Sequence, residues 1–86
     1  DVLRTFVTGV SLGSFARAAD RLGRSPSAVS LQLRKLEEQA GQALFRKQGR
    51  GLALTEAGEM LLGYAHRILD LNDEAGMRLR GMAGME

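Results

Sequence analysis

The chain has 86 residues, of which 44% are hydrophobic and 26% charged, a composition typical of one small soluble globular domain. Cysteine is absent, which excludes disulfides, thiolate catalysis and cysteine metal sites and favours a cytoplasmic location; no apolar run approaches the roughly 18 residues of a membrane span. The net charge is only +2, but residues 15–51 hold eight basic and three acidic residues, whereas residues 52–86 hold three basic and six acidic ones, so a polyanion-binding face is expected in the first half.

Two short helices are predicted at the N-terminus, joined by a glycine turn. Gly13 ends the first helix and Ser14 can cap the second, which in turn ends at Gly23. The first helix has an apolar face at helical spacing, formed by Leu3, Phe6, Val7 and Val10. The second helix has a similar stripe, formed by Phe15, Ala18, Ala19 and Leu22. Each helix is therefore expected to bury one side.

The third helix has the clearest boundaries in the chain. Ser25 suits the N-cap, Pro26 suits the first helical position, and Gly41 follows the end. The face expected to be buried consists of Val29, Leu33, Leu36 and Ala40. The opposite face consists of Ser27, Ser30, Leu31, Arg34 and Glu38, with Gln32 on the flank. Small polar side chains at the start of this face allow the helix to approach another surface closely.

A small hairpin is predicted next, because residues 43–47 and 52–54 are short stretches on either side of a glycine-rich turn. Its basic residues are Arg46, Lys47 and Arg50. A two-stranded hairpin is marginally stable alone, so we expect it to pack on the helices.

The last helix is predicted to start after Thr55 and to run to about Arg80. Steps of four and three residues define a heptad seam along it, formed by Leu61, Ala65, Ile68, Asn72, Ala75, Leu79 and Met82. A polar residue such as Asn72 in a seam often fixes register and chain number. The seam is either a dimer interface or part of the intrachain core. The helix length favours the interface, because three short helices cannot cover it.

Two helices joined by a tight turn, the second with a polar outer face, indicate a helix-turn-helix that places one helix in the major groove of DNA. On this hypothesis Ser27, Ser30, Leu31 and Arg34 read bases. The side chains expected to contact the DNA backbone are Ser25, Gln32, Arg46, Lys47 and Arg50.

Other interpretations remain open for the same residues. Arg34 is spaced to pair with Glu38 on a solvated helix face, and Ser25 can be a cap alone. A protein-interaction module, with the long helix as its working part, is an alternative function. An enzyme is not expected, because one histidine, no cysteine and no convergent acidic or nucleophilic cluster supply no catalytic constellation.

These features occur together in one known family. The runs that carry the resemblance are Gly13-Ser14-Phe15, Ala18-Ala19, Ser25-Pro26-Ser27-Ala28-Val29-Ser30, Gln32-Leu33, Leu36-Glu37, Leu44-Phe45-Arg46 and Leu54-Thr55-Glu56-Ala57-Gly58. In order and spacing they resemble the N-terminal DNA-binding domain of LysR-type transcriptional regulators over nearly the whole chain. The region from Gly63 to Ala75 is also similar to the LrhA/HexA-like subgroup.

The resemblance implies a mainly α fold with a winged helix-turn-helix in residues 1–54 and a dimerisation linker helix in residues 55–86. It implies a cytoplasmic, nucleoid-associated homodimer on an interrupted inverted repeat, often of the T-N11-A type, with tetramers in the full-length protein. A small-molecule inducer is expected only through a C-terminal domain that lies outside these residues, and neither a cofactor nor a metal is implied.

The family's base-contacting positions fall here on Pro26, Ser27, Ser30 and Leu31. Many members have Gln-Pro where this chain has Pro26-Ser27, and often Arg or His in place of Leu31. The base preferences of relatives are therefore not transferred to this chain.

Overall fold

The computed structural model describes residues 1–49 and 51–83. Across these residues the chain forms four helices and one two-stranded antiparallel sheet: α1 Val2–Leu12, α2 Phe15–Leu22, α3 Pro26–Ala40, β1 Phe45–Gln48, β2 Gly51–Leu54 and α4 Glu56–Ala83. The predicted fold class is confirmed: a mainly α winged helix-turn-helix is followed by a long helix.

The helix boundaries follow local capping chemistry. The hydroxyl of Ser25 accepts the Ala28 N–H at 3.1 Å at the start of α3, and the Thr55 hydroxyl accepts the Gly58 N–H at 3.1 Å at the start of α4. Gly23 adopts the left-handed conformation, with φ 68°, that makes the turn between α2 and α3 tight. These caps confirm the predicted ends of the first three helices.

The core lies where α1, α2, α3 and the start of α4 meet. Its buried members are Phe6, Ala19, Val29, Leu33, Leu36, Leu44 and Ala65. The predicted buried face of α3 is confirmed except for Ala40, which is exposed. Ala40 is the last residue of the helix, so it lies beyond the elements that cover the residues before it.

The hairpin packs against the helices, as its small size requires. Phe45 pairs with Leu54 across the sheet, and the Phe45 ring meets the Phe15 ring edge to face, with centroids 4.9 Å apart. We call residues 45–54 the wing. Its first strand is thereby fixed against the start of α2.

The long helix α4 divides along its length into a packed part and a projecting part. Residues as far as Leu69 contribute buried or half-buried side chains to the core side, whereas from Asp70 to Met82 every residue except Gly76 is exposed. Arg4 of α1 forms an ion pair with Asp73 of α4, with a nitrogen–oxygen distance of 3.3 Å. Among the described residues, this is the one ion pair between α1 and α4. The 28 residues of α4 extend over about 42 Å, so the helix extends well past the rest of the fold.

One residue of the predicted seam is assigned wrongly. Ala65 is completely buried in the core of its own chain, so it offers no surface to a second chain. Leu61 is half-buried against the same core. The physical reason is that α1 and the wing cover this side of α4, and a heptad pattern does not distinguish an intrachain neighbour from a partner chain.

The wing and α4 approach so closely that only glycine fits at position 58. A Cβ built on Gly58 would overlap the carbonyl oxygen of Leu44 and meet a methyl group of Leu54 at 3.0 Å. At Gly63, five residues along the same helix, a Cβ would meet nothing within 4 Å.

We therefore expect opposite effects from the same substitution at these two glycines. Gly58→Ala is expected to lower the free energy of unfolding by about 1–3 kcal/mol, because the overlap is with main chain that has to shift. Gly63→Ala is expected to raise it by up to about 1 kcal/mol through helix propensity. Urea denaturation midpoints measure both, and a stabilised Gly58→Ala variant would contradict the close approach.

Candidate nucleic-acid interface

The outer face of α3 brings together the residues predicted to read bases. All of its members are exposed, namely Pro26, Ser27, Ser30, Leu31 and Arg34. They share one side of the helix because the opposite side, with Val29, Leu33 and Leu36, is buried in the core. The result is a convex ridge about one helix wide, with small side chains at its N-terminal end.

Arg34 is not held by the neighbour that its spacing suggests. The ion pairs in residues 1–49 and 51–83 join Arg4 to Asp73 and Arg78 to Glu74. Glu38 therefore does not engage Arg34 in this part of the chain. The Arg34 guanidinium, with its fork of N–H donors, remains directed to solvent at the edge of the outer face.

The wing presents its two described basic side chains on different faces. Arg46 and Lys47 are both exposed but are neighbours along β1, so they point to opposite sides of the hairpin. Lys47 lies in a shallow cleft beside Gly13 and Ser14, at the turn before α2. The structure thus does not bring Arg46 and Lys47 to one surface. The prediction for Arg50 lies outside the described residues.

Ser25 and Gln32, predicted to contact the DNA backbone, are both engaged within the chain. Ser25 caps α3 through Ala28. The Gln32 side-chain oxygen accepts a hydrogen bond from Arg24 Nη1 at 2.7 Å and lies 3.3 Å from the hydroxyl of Thr5 in α1. Arg24 and Thr5 were missed by the sequence analysis, because no local pattern connects positions 5, 24 and 32.

Glu37 was also missed as a functional position. Its carboxylate accepts the Leu44 N–H at 2.8 Å, which ties the last turns of α3 to the residue just before the wing. Thr55 closes the other side of the wing, with its hydroxyl donating to the Ala43 carbonyl at 2.7 Å and its N–H to that of Leu44 at 3.0 Å. The only sequence signal was the Leu36-Glu37 pair within the family resemblance.

One line along the exposed surface of α4 consists mostly of apolar side chains. Of the predicted seam, Ile68, Asn72, Ala75 and Leu79 are exposed. Burial of Leu61 and Ala65 shifts the exposed apolar line around the helix, and we call this line the α4 stripe: Met60, Tyr64, Ile68, Leu71, Ala75, Leu79 and Met82. Its members recur in steps of four, four and three residues.

No group of three His, Cys, Asp or Glu side chains within residues 1–49 and 51–83 is placed to hold a metal ion. In the same stretch, no helix combines the length and the apolarity needed to cross a membrane.

The chain matches known proteins over most of its length. A family model described as "Bacterial regulatory helix-turn-helix protein, lysR family" matches residues 1–59. The transcriptional regulator PecT of Dickeya dadantii is 51% identical over 75 residues, which are 87% of this chain and 24% of PecT. The regulator DgdR of Burkholderia cepacia is 47% identical over 81 residues, 94% of this chain and 28% of DgdR. The chain thus spans about a quarter of the length of these two relatives.

Solved structures with the same fold include complexes with DNA. The chain superposes on the CbnR DNA-binding domain in complex with DNA with a TM-score of 0.87 and 36% identity, over 95% of this chain and 94% of that one. For the BenM DNA-binding domain on catB site 1 DNA the TM-score is 0.91 with 32% identity, over 95% of this chain and 92% of that one. These matches confirm the family resemblance, whereas the similarity to the LrhA/HexA-like subgroup stays a prediction.

We expect the Glu37 contact to stabilise the wing. Glu37→Ala leaves the N–H of the buried Leu44 without a partner and is expected to lower the free energy of unfolding by about 1–3 kcal/mol. Glu38→Ala is the matched control, because Glu38 is exposed, and its effect is expected to stay within about 0.5 kcal/mol. Equal denaturation midpoints for the two variants would show that the bond contributes nothing.

Proposed function

Because the chain belongs to the lysR family of bacterial regulatory helix-turn-helix proteins, we propose that it binds a specific double-stranded DNA sequence as a homodimer, with α3 in the major groove. It is a DNA-binding transcription regulator, and this agrees with the prediction that it is not an enzyme. The observation that carries the proposal is the exposed outer face of α3, with an unpaired Arg34, on a fold that superposes on DNA-bound relatives.

The proposed base readout uses the outer face of α3. Arg34 donates to the two acceptors of a guanine, and Leu31 contacts a thymine methyl group. Ser27 and Ser30 are short enough to let the helix lie deep in the groove and donate or accept at base edges. Pro26 contributes apolar contact at the helix start.

The proposed backbone contacts flank this face. Ser25 and the free N–H groups at the start of α3 accommodate a phosphate, and Gln32 reaches a second one. On the wing side the proposed contacts are Arg46 and Lys47, which would reach the DNA backbone from opposite sides of the hairpin, and Arg50. These contacts supply affinity without sequence preference, and they make binding sensitive to salt.

The second copy of the chain is proposed to pair along α4. Support comes from the exposed apolar line that this helix carries from Met60 to Met82. A continuous apolar line on a protein surface marks an interaction site, and a partner helix would bury it. Residues 1–54 would then form the DNA-binding unit and residues 55–86 the linker. A two-fold axis between antiparallel α4 helices presents two identical α3 helices, which matches an interrupted inverted repeat of the T-N11-A type.

The longer protein is proposed to act as the family resemblance implies. A C-terminal domain would bind a small-molecule inducer, and dimers would assemble into tetramers. The proposed location is the cytoplasm, in association with the nucleoid.

The base-reading role of Arg34 is tested by comparing two duplexes. Arg34→Ala is expected to weaken binding to a duplex with a T-N11-A dyad from a candidate promoter by about 1–3 kcal/mol for each half-site, with a much smaller effect on a scrambled duplex. Arg46→Ala is the matched control, since loss of a phosphate contact weakens binding to both duplexes alike. It lowers the salt slope by about 0.9 for each contact, or about 1.8 for the proposed dimer.

The measurement is a titration of the labelled duplexes at two salt concentrations. Equal losses on the two duplexes for Arg34→Ala would remove Arg34 from base readout. Absence of salt-sensitive binding by the unmodified chain would instead favour the protein-interaction module.

Dimerisation through the α4 stripe is tested by substituting two residues of α4 that have similar solvent exposure. Leu71, 64% exposed, is in the stripe, and Met77, 66% exposed, lies on another face of α4. Leu71→Lys is expected to weaken the dimer by about 3 kcal/mol, because two leucine side chains lose their burial. Met77→Lys is expected to leave self-association unchanged. Sedimentation over a concentration range measures both, and equal behaviour of the two variants would contradict the stripe as the interface.

A further inference from the structure

The main chain places Arg24 at the entrance of the recognition helix. Gly23 turns the chain with φ 68°, and the Arg24 N–H donates to the Ala19 carbonyl at 2.9 Å. Ser25, the N-cap of α3, follows directly. The position of the Arg24 main chain is therefore set by a backbone turn and a backbone hydrogen bond, neither of which involves the Arg24 side chain.

The Arg24 side chain fixes which way the Gln32 amide faces. A guanidinium only donates hydrogen bonds, so the Gln32 atom 2.7 Å from Arg24 Nη1 has to be the oxygen. The Thr5 hydroxyl alone would not decide whether the Gln32 oxygen or nitrogen faces it. A hydroxyl can donate or accept, and its single proton has a second acceptor in the Asp1 carbonyl at 3.1 Å. With the oxygen held by Arg24, the Gln32 amide nitrogen faces away from this contact.

The Gln32 amide nitrogen is left with two protons to donate. Within the described residues it has no hydrogen-bond partner, and no buried side-chain nitrogen or oxygen there is unsatisfied. The nitrogen is thus not fully buried, and its protons are free for an oxygen ligand. A pre-oriented amide donor next to an exposed arginine is suited to an anion.

Helical periodicity places Lys35 on the same flank of α3. Residues three apart are neighbours on a helix surface, so Lys35 lies one turn beyond Gln32 and is exposed. Glu37, which binds the wing, lies on the other flank. Neither Arg24 nor Lys35 forms an ion pair with any described residue. The flank of α3 opposite the wing therefore carries two free cations and an oriented amide.

We propose that Arg24, Gln32 and Lys35 form a phosphate-binding site on the DNA strand across the major groove from the wing. This inference rests on the proposed function, because it requires α3 to enter the groove. The groove is about 12 Å wide and a helix with its side chains is about 10–12 Å across, so phosphates of both strands come within reach of the two flanks. Arg24 contacts the phosphate and also positions the Gln32 amide.

Arg24→Ala and Lys35→Ala test the phosphate contacts separately. Each is expected to weaken binding about tenfold on the dyad duplex and on a mixed-sequence duplex alike, since hydrogen bonds to charged groups contribute this much. Each is also expected to lower the slope of log K against log salt by about 0.9 for each contact, or about 1.8 for the dimer that makes the contact in both half-sites. Arg78→Ala removes the same charge from the distant, 79% exposed end of α4 and is expected to leave the slope unchanged.

The positioning role of Arg24 is tested by a double-mutant cycle with Gln32→Ala. In the unmodified chain Gln32→Ala is expected to cost several-fold in affinity, and in the Arg24→Ala background this loss is expected to disappear because the amide is no longer oriented. Arg24→Gln removes the charge but keeps a donor toward Gln32, so it is expected to lower the salt slope while the Gln32 effect survives. Additive losses in the cycle would overturn the positioning role.

The outcomes separate this site from the function on which it rests. Steep salt dependence in the unmodified chain, with unchanged slopes in Arg24→Ala and Lys35→Ala, would overturn the site alone. Absence of salt-dependent DNA affinity in the unmodified chain would overturn both. Far-UV circular dichroism and urea midpoints of each variant confirm that a lost affinity is not a lost fold.

Discussion

The burial of Val29, Leu33 and Leu36 beneath the neighbouring helices fixes the rotation of α3 about its own axis. Successive residues of a helix are turned by about 100°, so a rotation by one position would carry polar side chains into the core. The outer face, with Ser27, Ser30 and Arg34, is therefore determined by apolar packing on the other side. Under the proposed function, base recognition by this face would depend on apolar contacts that do not themselves touch DNA.

Polar contacts then attach the other elements to this fixed helix. Glu37 holds the start of the wing through the Leu44 N–H, and Thr55 closes the wing from the side of α4. Gly58 lets α4 lie against the Leu44 carbonyl. Leu44 is thus contacted by Glu37 of α3, by Thr55 and by α4, so one residue links three parts of the chain.

Features with a local cause could be predicted from the sequence. The serine caps, the glycine ends and the buried stripe of α3 depend on neighbours within one or two turns, and each is found where it was expected, apart from Ala40. Features with a non-local cause could not. The heptad pattern of α4 included Ala65, because periodicity reports that a side chain is apolar and does not report what covers it. The contact of Arg24 with Gln32 likewise depends on how the α2–α3 turn closes.

For the proposed dimer, the spacing of the α4 stripe would limit the DNA sites that the two copies can occupy together. The steps of the stripe repeat every eleven residues, which corresponds to 3.67 residues per turn. Because this period is close to that of a straight α-helix, two such helices would pack side by side with almost no supercoiling. Sliding one α4 helix along the other by one eleven-residue repeat would keep apolar side chains opposite each other. It would also shift the two winged helix-turn-helix units relative to each other by roughly 16 Å. That shift is about half a turn of B-DNA, which would direct the two units to opposite sides of the duplex. In the proposed complex, the duplex would therefore accept only one of the alignments that the paired helices allow.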